Sequence, residues 1–163
     1  MPNSQYPQVT AGEILTASLL QSFSPLAAWK TSTTTFTGTT LTIDPDLQLT
    51  VAASATYEVT ASLVYQTPVA GHFKWSWSIP SGASGGYAAA FNLGGSGVGT
   101  YGQTWAATLT ASAGTAGTNY GATIIGILVT SSGGTFGLTW NNDTAADTAI
   151  LGVGSLLVAR RIA

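Results

Sequence analysis

Apolar and polar residues alternate with a period of two over much of this chain, a pattern typical of β-strands with one buried face. The clearest row runs from Tyr57 to Tyr65, where every second residue is apolar. Other rows follow the same alternation, at residues 47–51, 73–79, 87–91, 105–109 and 135–140, with a last strand at 150–162. Glycine-rich breaks separate several of them, at 94–97, 114–117 and 133–134. The pattern therefore predicts many short strands joined by turns.

One predicted strand differs from the others because apolar residues occupy both of its faces. Between Tyr120 and Thr130, residues 124, 125, 127, 128 and 129 are all Ile, Leu or Val. Such a run is typical of a strand that is covered on both sides. We therefore expect residues 120–130 to be buried on both faces.

The succession of strands defines the fold class. Residues 31–42 are rich in threonine, which favours extended backbone, and helical patterns are almost absent after residue 26. We predict an all-β fold, an antiparallel jelly-roll sandwich of about eight strands, with a lipocalin-like barrel as the alternative. No repeat of fixed period is present, which argues against a solenoid or a propeller.

The first 26 residues form a separate segment, which we call the arm. Thr10 and Glu13 have the spacing of a capping box, and Pro25 ends the apolar run that follows. The apolar side chains of this run are Ile14, Leu15, Leu19, Leu20 and Phe23. We expect a short helix here, which either packs on its own domain or docks on a neighbouring subunit. Residues 27–163 would then form the jelly-roll domain.

Charge is unusually scarce in this composition. Of 163 residues, four are Lys or Arg and six are Asp or Glu, whereas about a quarter of an average soluble domain is charged. The mean hydropathy is +0.30 and 45% of the residues are hydrophobic. These values indicate a protein whose surface is covered by copies of itself or by a larger assembly.

The same composition argues against several kinds of partner. The four basic residues form no cluster beyond Arg160 and Arg161, so nucleic acid is not expected. No apolar stretch is long enough to span a membrane, and no signal peptide is visible. The absence of cysteine excludes disulfides and thiolate metal sites.

The chain offers few residues for chemistry. His72 is its single histidine and alternates with Lys74 on the polar face of a predicted strand. Catalysis would require a nucleophile and an orienting carboxylate beside it, and one histidine cannot form a transition-metal site alone. We interpret His72 as a solvent-facing or inter-subunit polar residue.

Two pairs of carboxylates are candidates for a metal or catalytic site. Asp44 and Asp46 flank a proline, and we interpret them as turn residues that bond nearby main-chain N–H groups. Asp143 and Asp147 lie in the polar loop 141–148, which is the better candidate for Ca²⁺ and could also be imagined as a glycosidase pair. We nevertheless expect no metal, cofactor or catalytic residue.

Aromatic residues occupy one face of the predicted strand at 73–79. Phe73, Trp75 and Trp77 could form a sugar-stacking platform, but their strict alternation with polar residues favours a place in the core. Trp105 and Trp140 are expected to join the same core.

Three stretches of the chain resemble one family. Residues 11–20 resemble the G-x-x-x-T-A-x-x-L opening of many structural proteins of tailed phages that infect actinobacteria. Residues 134–143, followed by 154–161, are similar to the closing strands of those proteins, and residues 41–65 are similar to their middle. The chain departs from the family at Asn141-Asn142, where Ala-Gln is common, and at Leu156, where Tyr is common.

The resemblance implies a role in a virion. The family includes capsid decoration proteins, head fibres and minor tail proteins, and its fold is like the trimeric jelly roll of tumour-necrosis-factor-type ligands. We therefore expect a non-enzymatic capsid decoration protein, made in the host bacterial cytoplasm and located on the capsid surface. It would form a homotrimer and contact the major capsid protein through the apolar residues of the arm. The alternatives are a minor tail or receptor-binding protein that contacts cell-surface glycan and, in a different class, a glycan hydrolase.

Overall fold

The computed structural model describes residues 11–17, 19, 24–67, 71–92, 98–111, 114–115 and 117–163. This part of the chain contains twelve strands: β1 (Leu26–Trp29), β2 (Thr34–Thr37), β3 (Thr42–Val51), β4 (Ala55–Gln66), β5 (Phe73–Ser78), β6 (Ser84–Asn92), β7 (Val98–Thr104), β8 (Leu109–Thr110), β9 (Tyr120–Thr130), β10 (Gly134–Asn142), β11 (Thr148–Leu151) and β12 (Leu156–Arg161). Every strand pairing is antiparallel. The predicted all-β, antiparallel class is confirmed.

The strands form two sheets. The large sheet has eight strands, in the order β1-β12-β4-β9-β6-β7, with β11 pairing to both β4 and β2. The small sheet has the order β3-β10-β5-β8. Aromatic side chains of the two sheets meet between them, as where Trp75 of β5 contacts Phe91 of β6 edge-on. The chain therefore folds as a two-layered sandwich rather than a single barrel sheet.

The predicted alternation places the core correctly. In β4, residues 57, 59, 61, 63 and 65 are all buried, and Phe73, Trp75 and Trp77 of β5 face them from the small sheet. Trp77 stacks on Phe136 at a centroid distance of 5.1 Å and meets Trp105 edge-on at 5.5 Å. The aromatic row is therefore core, and a sugar-stacking platform on it is excluded by burial.

Three strand predictions were wrong in detail. Trp105 lies in a turn after β7, and of the predicted strand 105–109 only Leu109 is extended, as the first residue of β8. Trp105 is nevertheless buried against Trp77 and Phe136, and its Nε1 donates a hydrogen bond of 2.7 Å to the Ile127 carbonyl. The β7 strand was not predicted, and the predicted strand 150–162 is divided into β11 and β12 by a turn in which Gly154 has a φ of 92°.

The sequence Asp44-Pro45-Asp46 does not end a strand but forms a bulge within β3. Gln48 lies opposite Gly137 and Ile43 lies opposite Thr139, so four residues of β3 face a single residue of β10. The bulge turns the Asp44 side chain into the protein, where it is fully buried.

The prediction that β9 is buried on both faces was wrong for the single chain. Ile124 and Leu128 are fully buried, but Ile125, Ile127 and Val129 are 55%, 41% and 40% exposed. The reason is that no second layer covers the outer side of the large sheet in the described part of one chain.

Candidate functional site

The candidate site is the outer face of the large sheet, which we define as the side chains of β1, β12, β4, β9 and β6 that point away from the small sheet. The pairing register aligns one row across these five strands, formed by Ala27, Val158, Thr60, Ile125 and Ala88. A second row begins with Trp29 and Leu156, which lie opposite each other and are both exposed. The register thus gathers apolar side chains that are far apart in sequence.

This face holds much of the exposed apolar surface of the protein. Nine large hydrophobic residues are exposed in the described part of the chain, and five lie here: Trp29, Ile125, Ile127, Val129 and Leu156. The outer residues of β4 that lie between them are Thr56, Glu58, Thr60 and Ser62, so the five form two apolar groups rather than one patch. Groups of exposed apolar side chains are candidates for an interaction surface. An open sheet face suits another protein surface better than a small molecule, which binds in concave sites.

The face also carries few charged side chains. Glu58 of β4 lies directly opposite Arg160 of β12, and Arg160 Nη2 and Nε donate to Glu58 Oε2 at 2.6 and 3.0 Å. The strands of the large sheet contain one further charged residue, Arg161, at the end of β12. A protein that covers this face would therefore desolvate one ion pair whose charges already balance.

The arm contributes a second exposed apolar feature. Ile14 and Leu15 are 82% and 58% exposed. Neither is helical. Ala17 is the first of the described residues with helical backbone, and the Thr16 hydroxyl accepts a hydrogen bond of 3.2 Å from the Leu19 amide. A helix capped at Thr10 would include residues 11–13, and these residues are not helical. Thr10 itself lies outside the described chain.

Of the five predicted attachment residues, Ile14, Leu15 and Leu19 fall within the described chain, whereas Leu20 and Phe23 lie outside it. Ile14 and Leu15 are available to a partner, and Leu19 is half-buried.

A polar cluster joins the start of β5 to the loop after β10. The Nδ1 atom of His72 contacts Asp143 Oδ2, and the His72 amide donates to Asp143 Oδ1 at 2.9 Å and to Asn142 Oδ1 at 3.0 Å. Partial burial raises the pKa of Asp143. Hydrogen bonds from the His72 main chain and ring, and from Thr144, have the larger combined effect and bring this pKa below its usual value. Sequence analysis missed this pairing because 71 residues separate the two partners.

The hydrogen bonds of the cluster hold the loop against the start of β5. Asn142 Oδ1 accepts from the amides of residues 72, 143 and 144, and both oxygens of Asp143 already accept from His72. The Thr144 hydroxyl donates to Asp143 instead of approaching the imidazole as a nucleophile would. No group of three or more His, Cys, Asp or Glu residues that could hold a metal occurs in the part of the chain described.

A second polar cluster is buried between the sheets at their β1 and β3 edges. The side chains of Lys30 and Asp44 are both fully buried, and Lys30 Nζ lies 3.0 Å from Asp44 Oδ2 and 3.1 Å from Asp46 Oδ2. Asp44 Oδ1 accepts hydrogen bonds of 3.0 Å from the amides of Asp46 and Leu47, as predicted for Asp44, although it does so in a strand bulge. The Asp46 carboxylate instead accepts from Lys30. The contribution of Lys30 was not predicted, because a lysine beside a strand ordinarily points to solvent.

Comparison with protein-family models, with curated proteins and with solved structures found no match for this chain. Within the residues that the structure describes, no helix has the length and apolar character needed to cross a membrane.

Proposed function

We propose that this protein is a non-enzymatic structural subunit of a phage virion, namely a capsid decoration protein that binds the capsid surface as a homotrimer. The observation that carries this proposal is the outer face of the large sheet, which exposes large apolar side chains and one ion pair, between Arg160 and Glu58. Three copies packed around an axis would cover such a face, and the scarcity of charge in the sequence suits that burial. The phage-family resemblance of residues 11–20, 41–65, 134–143 and 154–161 supplies the virion context.

The strand order supports a jelly-roll topology of the kind seen in trimeric tumour-necrosis-factor-type ligands. Successive strands cross between the sheets: β3, β5, β8 and β10 lie in the small sheet, and β4, β9 and β12 lie in the large one. The first strand also pairs with the last. In this topology the β6–β7 hairpin is an insertion, which extends the large sheet beyond β9.

In this proposal the arm and the sandwich have separate tasks. The sandwich, residues 27–163, forms the trimer, while the arm, residues 1–26, contacts the major capsid protein through its apolar residues. The protein would be made in the host bacterial cytoplasm and located on the capsid. Three arms on one trimer bind together, so that avidity exceeds the affinity of a single arm.

The trimer can be tested at the centre of the outer face. We expect the unaltered protein to have about three times the mass of the 16.5 kDa chain in light scattering. Ile125→Glu should shift it to monomers, since each interface would then bury an unpaired carboxylate. The matched control is Thr50→Glu, at an exposed position of the small sheet, which should remain trimeric. A monomeric unaltered protein, or a trimeric Ile125→Glu variant, would contradict the assignment of this face.

The attachment role of the arm is tested with Ile14 and Leu15 together. The double change Ile14→Asp and Leu15→Asp should leave the melting temperature unchanged, because both side chains are exposed. Binding to capsids that lack this protein should fall at least tenfold in co-sedimentation, since each buried side chain would contribute about 1.5–3 kcal/mol. Val153→Asp, at an exposed position between β11 and β12, is the control and should bind normally. Full binding by the double variant would show that these residues are not the anchor.

A further inference from the structure

Lys30 is a fully buried amine that the assembly role does not use. Its side chain has no exposed surface, and neither has that of Asp44. A buried ion pair is costly to desolvate, and replacing such pairs by apolar residues often costs no stability. Lys30 is held between two carboxylates and close to a buried tryptophan. Stability alone does not account for this arrangement, so a chemical role was sought in the geometry of the cluster.

The amine lies within reach of the Asp44 carboxyl carbon. Lys30 Nζ is 3.2 Å from Oδ1 and 3.0 Å from Oδ2 of Asp44. Because both oxygens are that close, Nζ lies within about 3.5 Å of Cγ, the separation of reacting atoms in near-attack arrangements. The Thr34 hydroxyl, at 2.8 Å from Nζ, helps to fix the amine in this position.

The remaining contacts of Asp44 match what an acyl transfer requires. Oδ1 accepts hydrogen bonds from two main-chain amides, those of Asp46 and Leu47, as the oxygen of a tetrahedral intermediate does in an oxyanion hole. Oδ2 accepts a hydrogen bond of 2.9 Å from Trp140 Nε1, so the two oxygens are distinguished. Asp46 Oδ2, at 3.1 Å from Nζ, is placed to take the proton of the attacking amine.

We propose that Lys30 and Asp44 condense spontaneously to an isopeptide bond, for which the ion pair in the structure is the reactant arrangement. Proton transfer from Lys30 to Asp44 gives an amine and a carboxylic acid, the forms between which an amide bond can be made. Nζ then attacks Cγ, and Asp46 carries the proton from nitrogen to the departing Oδ2. The Nζ–Cγ bond forms, the Cγ–Oδ2 bond breaks and one water leaves; no oxidant or other reactant is needed.

The surroundings of the cluster accommodate the products. Oδ1 becomes the amide oxygen and keeps both main-chain donors, while the new N–H can donate to Asp46. The Asp46 side chain is about one-third exposed, which gives the released water a route to solvent. The bond would tie the residue after β1, at one edge of the large sheet, to β3, at one edge of the small sheet. This inference does not depend on the proposed function.

The test is the mass of the denatured full-length chain after it has folded. We expect a mass lower by one water than the sum of its residues, and a block to trypsin cleavage after Lys30. The chain has two lysines, so Lys30→Arg and Lys74→Arg form a matched pair. The first should restore the full mass and the second should keep the loss. A full mass for the unaltered protein, or a loss of water that persists in Lys30→Arg, would overturn the proposal.

Two further variants test the assigned roles. Asp44→Asn should still condense, but with loss of ammonia instead of water, because the amide nitrogen becomes the leaving group. Asp46→Asn should leave the chain at its full mass, because the proton acceptor is removed while Lys30 and Asp44 remain. Complete condensation in Asp46→Asn would overturn the role of Asp46, and loss of water from Asp44→Asn would place the bond elsewhere.

Discussion

Replacing Trp77 by alanine is expected to lower the free energy of unfolding by about 3–5 kcal/mol. Trp77 lies at the centre of the core, where it stacks on Phe136 with an interplanar angle of 3° and meets Trp105 edge-on. Alanine would leave a cavity that these rigid neighbours cannot fill. Chemical denaturation at a fixed protein concentration measures the change, because the stability of an oligomer depends on concentration.

The control for this prediction is Trp77→Phe. Phenylalanine keeps a ring against Phe136 and should lose less than half of the stability lost by the alanine variant. An unchanged unfolding midpoint in Trp77→Ala would show that the tryptophan is not part of the core.

A second large effect is expected for Gly85→Ala at the start of β6. Gly85 has a φ of 104°, which L-residues rarely adopt, and a Cβ there would lie 2.1 Å from the Ile127 carbonyl oxygen. That oxygen also accepts the hydrogen bond from Trp105, so it cannot move away freely. Backbone strain and the steric clash together should cost about 2–5 kcal/mol, measured by the same denaturation experiment.

Gly102→Ala in β7 provides the comparison within the same hairpin. A Cβ at Gly102 would contact nothing within 4 Å, and its φ lies outside the positive range. This variant should change the free energy of unfolding by less than about 0.5 kcal/mol. Equal losses in both glycine variants would indicate that the hairpin is generally intolerant, and would contradict the specific role of Gly85.

Strand faces could be predicted from the sequence because burial in a sandwich follows a period of two. The rows at 57–65 and 73–77 were identified from alternation alone, and their side chains fill the core. The prediction failed where a residue is buried without being part of a strand. Trp105 has the phase of a strand residue but is buried from a turn, through a hydrogen bond to a distant strand.

The polar clusters could not be predicted because their partners are distant in sequence. Lys30 and Asp44 are brought together by the packing of two sheet edges and by a bulge in β3, which no local pattern of charge indicates. His72 meets Asp143 only because β5 pairs with β10. The outer face was not predicted, although the apolar residues on both sides of β9 were recognised. A strand pattern shows that a face is apolar, but it does not show whether the same chain or a second chain covers that face.

The position of Lys30 directly after β1 governs how the domain would respond to mechanical force. Leu26 at the start of β1 lies opposite Ala159 near the end of β12, so both chain ends leave this ladder on the same side. A load applied between them would peel β1 away one residue pair at a time, a geometry of low resistance, for the four pairs up to Trp29. The next residue is Lys30, which is held across the sandwich by Asp44 and Asp46. Peeling would stop there, and the tension would pass to β3 of the small sheet.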